Sequence, residues 1–311
     1  MPDGASRNPI HFMGVHEHSL TMRLSLFGRR HNLASFVFLA PIITFLLFVL
    51  VLPIVLMVEM SLYQRGQAGT IIKVMSLSNY ITFLKEPVYL KVLGNSAFVG
   101  AIVCVITVGI SIIPAAVLGL TRSRVKNILF ILILIPFWTS FIVRTYAWIV
   151  LLGTNGVING MLRTVGLTDT PMSMLYSRET VVLGLVHAMI PFAIVPIYAS
   201  IERIDDSFLE AAATLGARPI SLFAEIIVPL SMPGIWAAGI LVFIEAMGAF
   251  ITPQLLGSAS DMMIAQLVQE RFIGSFDWPF GSAVAVIYLL FTGVAFAALF
   301  AGRQAIAGHA R

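Results

Sequence analysis

The sequence is poor in charged residues and has a single cysteine. Only 11% of its 311 residues are charged and 59% are hydrophobic, whereas an ordinary soluble domain carries roughly 25% charged residues. This composition excludes a soluble globular protein and predicts an integral membrane protein. The one cysteine, Cys104, lies inside an apolar run, which excludes a disulfide framework and a cysteine-based metal site.

Motifs for several kinds of chemistry are also absent. The sequence contains no GxxxxGK[ST] loop to hold nucleotide phosphates and no HExxH pair, and His16-Glu17-His18 lacks the spacing of a helical metal site. We therefore expect no catalytic residue, no cofactor and no metal in this chain. The net charge of +4 is spread among apolar segments, so the expected surroundings are membrane lipid and not nucleic acid.

Six apolar segments run through the chain. Each has about the 20 residues that a helix needs to cross ~30 Å of hydrocarbon, and none alternates as the strands of a membrane barrel do. The fold class predicted is all-α, a polytopic membrane protein with six transmembrane helices. The predicted spans are Ser35–Val58, Ser96–Leu120, Ile128–Leu152, Thr180–Ser200, Met232–Leu255 and Gly281–Ala301.

The distribution of lysine and arginine predicts the orientation of these spans. With six spans both termini lie on one side, and eleven basic residues belong to that side against seven on the other. The positive-inside rule then places both termini in the cytoplasm. We expect residues 1–34 to form a disordered cytoplasmic tail and residues 35–303 to form the transmembrane domain.

A polar loop at residues 204–223 separates the fourth and fifth spans. Asp205, Asp206 and Ser207 offer N-cap oxygens, and Ser207 and Glu210 have the spacing of a capping box, which predicts that a helix begins here. Gly216 suits the left-handed conformation that ends a helix, and Pro219 suits the first turn of the next one. The sequence therefore predicts a helix, a sharp turn and a second helix on the cytoplasmic side.

The residues of this loop predict a surface that docks a partner. Ala211 and Ala212 leave a shallow surface, and Glu210 and Arg218 flank it with opposite charges. A helix that lies on lipid usually carries lysine and arginine on its polar face, whereas this helix is acidic near its start. We interpret Glu210, Ala211, Ala212, Gly216 and Arg218 as a coupling loop.

Ionisable side chains inside the spans are candidates for the substrate pathway, because a charge in hydrocarbon is costly unless it is paired or hydrated. Arg144, His187 and Glu245 qualify. Arg144 and Glu245 lie roughly 24 Å and 20 Å from the cytoplasmic ends of their helices at ~1.5 Å per residue, so all three residues fit one layer. Two alternatives stay open: Arg144 and Glu245 form a structural ion pair, or they line the pathway.

Three further stretches carry a family resemblance together with the EAA of the loop: PFWTSFIVRTYAW (136–148), PIYASIERIDDSFLEAA (196–212) and DWPFG (277–281). Over residues 79–301 the chain resembles the permease subunits of spermidine/putrescine-type ABC importers. The resemblance implies a type I importer fold, a second permease subunit, a dimeric ABC ATPase that binds ATP and Mg²⁺, and an external substrate-binding protein. It also implies a polyamine or a related cationic metabolite as the substrate.

Two positions depart from the family pattern. Glu245 stands where an uncharged residue is expected, and Ala249 stands where an acidic residue is expected. The alternative function is a self-contained, ion-coupled secondary transporter, which would carry ionisable residues along its spans and usually an inverted repeat of broken helices. No internal repeat is evident in the sequence.

Overall fold

Helices make up nearly all of the structure, which is a computed structural model that describes residues 17–121 and 123–309, with side chains within 39–302 except at 68 and 122. The all-α fold class is confirmed, since the strands within these residues form only one two-residue hairpin. In chain order the elements are α1 (Glu17–Ser61), β1 (Gln64–Arg65), β2 (Ile71–Ile72), α2 (Ser78–Lys85), α3 (Pro87–Leu120), α4 (Val125–Trp138), α5 (Phe141–Leu152), α6 (Val157–Thr164), α7 (Arg178–Ile201), α8 (Asp206–Thr214), α9 (Pro219–Leu222), α10 (Val228–Leu230), α11 (Met232–Met247), α12 (Ile251–Leu256), α13 (Ile264–Gln269) and α14 (Trp278–His309).

Five helical segments are long and apolar enough to cross a membrane, and a bent pair of helices makes a sixth when the pair is counted as one span. The five are Leu39–Ser61, Pro87–Leu120, Phe141–Thr164, Arg178–Ile201 and Trp278–Gly302, and the pair is Pro219–Leu230 and Met232–Met247, bent by 67°. These segments agree in number and order with the six predicted spans. The shorter apolar helix α4 precedes the third of them.

The chain divides by packing into two units, of which the first ends at Leu56 within α1. In the described part of this unit every side chain from Leu39 to Leu56 except Ala40 is exposed. Helix α1 begins at Glu17, and the disordered tail that the sequence predicts for residues 1–34 stays a prediction. The rest of the predicted tail, residues 1–16, lies outside the described residues.

Within the second unit, the observed helices differ from three of the predicted spans. The predicted third span, 128–152, is not continuous, because Thr139 and Ser140 have extended backbone between α4 and α5. Pro136 lacks the N–H of a helical hydrogen bond and weakens the helix just before this break. The second span begins at Pro87 instead of residue 96, and the fifth ends at Met247.

Helices α3, α7 and α11 form the main core of the second unit. Its fully buried side chains include Val103 of α3, Ile194 and Ile197 of α7, and Ala238 and Val242 of α11. Small residues allow close approach of the helices, as is usual where lipid supplies no hydrophobic driving force between them. A Cβ at Gly234 of α11 would lie 2.5 Å from the Pro196 carbonyl oxygen of α7.

The same contacts define the two ends of the bundle. Helix α3 ends beside the end of α7, since a Cβ at Gly119 would lie 2.5 Å from Ile201 Cγ2. Helix α11 begins near this end, and α12 lies against the start of α7, where Gly184 faces Leu256. The coupling loop therefore leaves the bundle at the end where α3 and α7 finish.

Substituting Gly234 with alanine tests the close packing of α7 and α11. The new methyl group would meet backbone atoms of α7, which cannot move as a flexible side chain can, and overpacking of this kind costs about 1–3 kcal/mol. We expect Gly234→Ala to lower the thermal unfolding temperature of the detergent-solubilised protein.

The matched control is Gly109→Ala in α3, because a Cβ at that position has no atom within 4 Å. The control should leave the unfolding temperature unchanged or raise it slightly, since alanine favours helix over glycine by roughly 1 kcal/mol. Equal unfolding temperatures for both variants would contradict the packing described.

Candidate functional site

The coupling loop begins with a capped helix, α8. The side chain of Asp205 accepts a hydrogen bond from the backbone N–H of Ser207 at 2.9 Å, and Asp205 is the N-cap residue. This hydrogen bond lowers the pKa of Asp205 below its usual value, so the cap is charged and complete at neutral pH. The predicted capping box of Ser207 and Glu210 is wrong, because the helix starts two residues earlier than that pattern requires.

The turn that follows α8 is a Schellman motif centred on Gly216. Gly216 has φ +76°, the Gly216 N–H donates to the Ala213 carbonyl at 3.0 Å, and the Ala217 N–H donates to the Ala212 carbonyl at 3.0 Å. These two hydrogen bonds satisfy carbonyls that the helix end would leave unpaired. The predicted left-handed glycine is confirmed, and Pro219 occupies the first turn of α9 as predicted.

Apolar side chains are exposed at this turn. Leu215 is 88% exposed and Ile220 is 82% exposed, whereas Ala212 is buried and faces the body of the protein. Glu210, Ala211 and Arg218, by contrast, are exposed. The outward surface therefore combines charged side chains with two large aliphatic ones, and the predicted alanine surface is correct for Ala211 but not for Ala212.

Arg144 lies at the break between α4 and α5. Its guanidinium donates hydrogen bonds to the Pro136 carbonyl, to the Thr139 carbonyl at 3.3 Å and to Thr139 Oγ1 at 3.2 Å. The guanidinium also lies over the Phe141 ring at 6.0 Å. Arg144 thus supplies donors to the carbonyl end of α4, where the Pro136 carbonyl also accepts from the Thr139 N–H at 3.4 Å and from the Thr139 hydroxyl at 2.8 Å.

His187 of α7 lies beside Trp148 of α5. The Trp148 indole N–H donates to His187 Nδ1 at 3.3 Å, and the two rings meet edge to face. An indole nitrogen only donates, so His187 accepts at Nδ1. Trp148 follows Arg144 by four residues on α5, so its hydrogen bond to His187 places these two of the three predicted pathway residues on adjoining helices.

Glu245 lies apart from that pair, on an exposed face of α11 next to Leu241. Helix α14, which packs against α11, carries Tyr288. The hydroxyl of Tyr288 lies against the end of α11, since a Cβ at Gly248 would be 2.6 Å from it. Within the described residues no ion pair joins Arg144 to Glu245, so the structure does not form the ion pair of the first alternative.

Sequence reasoning missed Tyr288 and Thr139. Tyr288 is a polar residue in an apolar span, and this is the one signal by which the sequence could have indicated it. The role of Thr139 depends on a helix break that hydropathy does not reveal. Asp205, Asp206 and Ser207 are the three possible N-cap residues. The capping-box pattern favoured Ser207, whereas Asp205 is the N-cap in the structure.

Apolar segments long enough to span a membrane, a core of three packed helices and an exposed helical loop at one end of that core define an all-helical transport permease. The chain belongs to the family of binding-protein-dependent transport system inner membrane components, whose family model matches residues 92–305. It is similar to the spermidine/putrescine transport system permease protein PotB of Escherichia coli (strain K12), with 34% identity over 256 residues, which cover 82% of this chain and 93% of PotB.

Two solved structures share the fold. One is a bacterial ABC transporter involved in the import of the acidic polysaccharide alginate, with a TM-score of 0.74 and 17% identity, covering 91% of this chain and 99% of the other. The second is the bacterial alginate ABC transporter in complex with an alginate pentasaccharide-bound periplasmic protein, with a TM-score of 0.73 and 14% identity, covering 87% of this chain and 93% of the other.

Family membership decides between the two functions that the sequence left open. The chain is an inner-membrane permease subunit of an ABC importer, and ATP hydrolysis takes place on a separate ATPase. The alternative of a self-contained secondary transporter is wrong. The type I importer permease fold and the resemblance on which it was predicted are confirmed.

Replacing Arg144 tests its role at the helix break. We expect Arg144→Gln to reduce the abundance of the protein in membranes, since the Thr139 carbonyl loses its guanidinium donor, and a backbone acceptor left unpaired away from water costs about 1–3 kcal/mol. Glu245→Gln should leave abundance unchanged, and the double variant should match Arg144→Gln. Membrane abundance is read by immunoblotting, with Arg163→Gln on the exposed surface of α6 as the control. Recovery of abundance in the double variant would instead show an ion pair.

Proposed function

We propose that this permease carries a polyamine or a related small cationic metabolite across the inner membrane. An external binding protein delivers the solute, a second permease subunit completes the pathway, and a dimeric ATPase, which holds ATP and Mg²⁺, drives the cycle. The single observation that carries the proposal is the surface at the turn after α8. Two large apolar side chains, Leu215 and Ile220, are almost fully exposed there.

The turn of the coupling loop has the properties of a docking surface. Leu215 and Ile220 lie on either side of Gly216, and exposed aliphatic side chains gain free energy when a partner covers them. Arg218 and Glu210 add charges to the rim of the same surface. We therefore assign Glu210, Ala211, Gly216, Arg218 and these two side chains to ATPase contact, while Ala212 packs inward and holds the helix in place.

The end of the helix bundle that carries the coupling loop also supports the orientation of the permease in the membrane. Lys126 Nζ contacts the Glu202 carboxylate at 2.6 Å, so the short basic turn before α4 lies beside the end of α7 and the start of the loop. A positively charged turn at that end supports a cytoplasmic coupling loop. Both termini then lie in the cytoplasm, because six spans separate them.

Glu245 supports both a second permease subunit and a cationic solute. A carboxylate on an exposed face of a membrane helix is too costly to leave against acyl chains, so a partner and a hydrated cavity must cover this face. Between low-dielectric walls a single carboxylate attracts cations over a long range. Similarity to PotB supports a polyamine as that cation.

Arg144 and His187 are assigned a supporting role in this pathway. Arg144 donates to the carbonyl end of α4, and the Trp148 N–H donates to His187. Both residues therefore shape the wall formed by α5 and α7. Glu245 is the only one of the three predicted pathway residues that we propose contacts the solute.

Substitutions at Gly216 test the coupling surface. Valine at φ +76° is strained by roughly 1–2 kcal/mol or more, whereas asparagine tolerates this conformation. We expect Gly216→Val to reduce ATP-dependent uptake by about tenfold and to weaken co-purification of the ATPase, and Gly216→Asn to retain most of both. Normal uptake and normal ATPase recovery with Gly216→Val would contradict the docking assignment.

Replacing Glu245 tests the substrate class. Glu245→Gln keeps the size of the side chain and removes its charge, so we expect normal abundance but about tenfold slower polyamine uptake at low concentration, which corresponds to ~1.4 kcal/mol. Radiolabelled spermidine and putrescine provide the measurement. Glu179→Gln, which removes an exposed carboxylate outside this face, is the control. Unchanged uptake by Glu245→Gln would remove Glu245 from the pathway.

A further inference from the structure

Helix α2 lies between the end of α1 and the start of α3 and is fixed to the end of α1. The Asn79 side chain donates hydrogen bonds to the carbonyls of Ser61 and Tyr63, both at 2.8 Å. The hydroxyls of Ser61 and Tyr80 are hydrogen-bonded at 2.6 Å. Three polar contacts thus hold α2 at the level where the first membrane span finishes.

One face of α2 is buried against the protein. Phe83 is fully buried, its ring stacks on Tyr89 with centroids 5.7 Å apart, and Tyr89 lies 4.9 Å from the ring of Phe280 in α14. This aromatic cluster belongs to the second buried core of the molecule. The cluster fixes the rotation of α2 about its axis, so the other faces of the helix must point outward.

The outward side of α2 is apolar where a water-exposed helix would be polar. Leu77, Ile81 and Leu84 follow each other at spacings of four and three residues, which places them on one face of a helix. Their side chains are 61%, 49% and 63% exposed. The segment between α1 and α2 adds more exposed apolar side chains, namely Ile71, Ile72, Val74 and Met75.

Basic residues accompany this face. Lys73, Lys85 and Lys91 are exposed along the same connection, and Glu86 is the exposed acidic residue among them. An amphipathic helix with lysine beside its apolar face is the type that lies in a membrane interface, with the lysine stems extended towards the headgroups. Anionic headgroups attract such lysines.

We propose that α2 is an interfacial helix that inserts Leu77, Ile81 and Leu84 into the external leaflet, with Lys85 directed to lipid phosphates. Continuity with two membrane spans supports lipid as the occupant of this face, since α2 is fixed to the end of α1 and only Glu86 separates it from α3. The helix anchors the external end of the permease against the membrane while the coupling loop moves at the opposite end.

The test measures the depth of α2 in a bilayer. Full-length protein with Cys104→Ser receives a bimane label at Leu84→Cys or Ile81→Cys on the apolar face, or at Thr82→Cys on the polar side as the matched control. The labelled proteins are placed in nanodiscs with lipids brominated along the acyl chains. Insertion of an interfacial helix by about 5–10 Å predicts at least roughly twofold stronger quenching at Leu84 and Ile81 than at Thr82.

Two results would overturn the proposal. Equal quenching of all three labels by aqueous iodide, with none by brominated lipid, would show that α2 lies in water. Quenching by iodide at Leu84 that the external binding protein suppresses would show that this face docks a protein. If Leu84→Cys does not assemble, Ile81→Cys gives the same comparison from the same face.

Discussion

The absence of hydrogen-bond partners in hydrocarbon is the constraint on which the rest of this structure depends. Each interruption of a membrane helix exposes backbone carbonyls and N–H groups, and the chain must supply partners for them. At the break between α4 and α5 Arg144 donates to Pro136 and Thr139. At the start of α13 the buried Ser96 hydroxyl accepts the Ile264 N–H at 2.6 Å. A broken helix is tolerated only where such partners are present.

The packing of the three central helices gives the coupling loop its mechanical connection. Helix α7 lies in the middle of the core and only residues 202–205 separate it from α8. Backbone contact between α11 and α7 at Gly234 leaves no flexible side chain to absorb a displacement. We therefore expect movement of the loop by the ATPase to pass directly to α7 and α11, and α11 carries Glu245. Dense cores transmit such shifts because they do not deform continuously.

Hydropathy and the positions of glycine and proline predicted most of the fold. Six apolar runs of sufficient length indicated the spans, and Gly216 and Pro219 indicated a helix, a turn and a helix, because these residues act through local backbone geometry. The break at Thr139 and Ser140 could not be predicted, since it lies inside an apolar run and depends on a donor from Arg144, five residues later. The position of Tyr288 at the end of α11 depends on the packing of α14 against α11, which sequence spacing does not define.

The central proposal, that Glu245 faces a hydrated pathway shared with a second permease subunit, is tested most directly by the reactivity of Glu245→Cys in a Cys104→Ser background. The complete importer is treated in membranes with a cationic, water-soluble methanethiosulfonate reagent, with and without spermidine and the binding protein. We expect the cysteine to react and the substrate to slow the reaction. A cysteine that reacts only with a lipid-soluble maleimide, and is unaffected by substrate, would contradict the proposal and place this face of α11 against lipid.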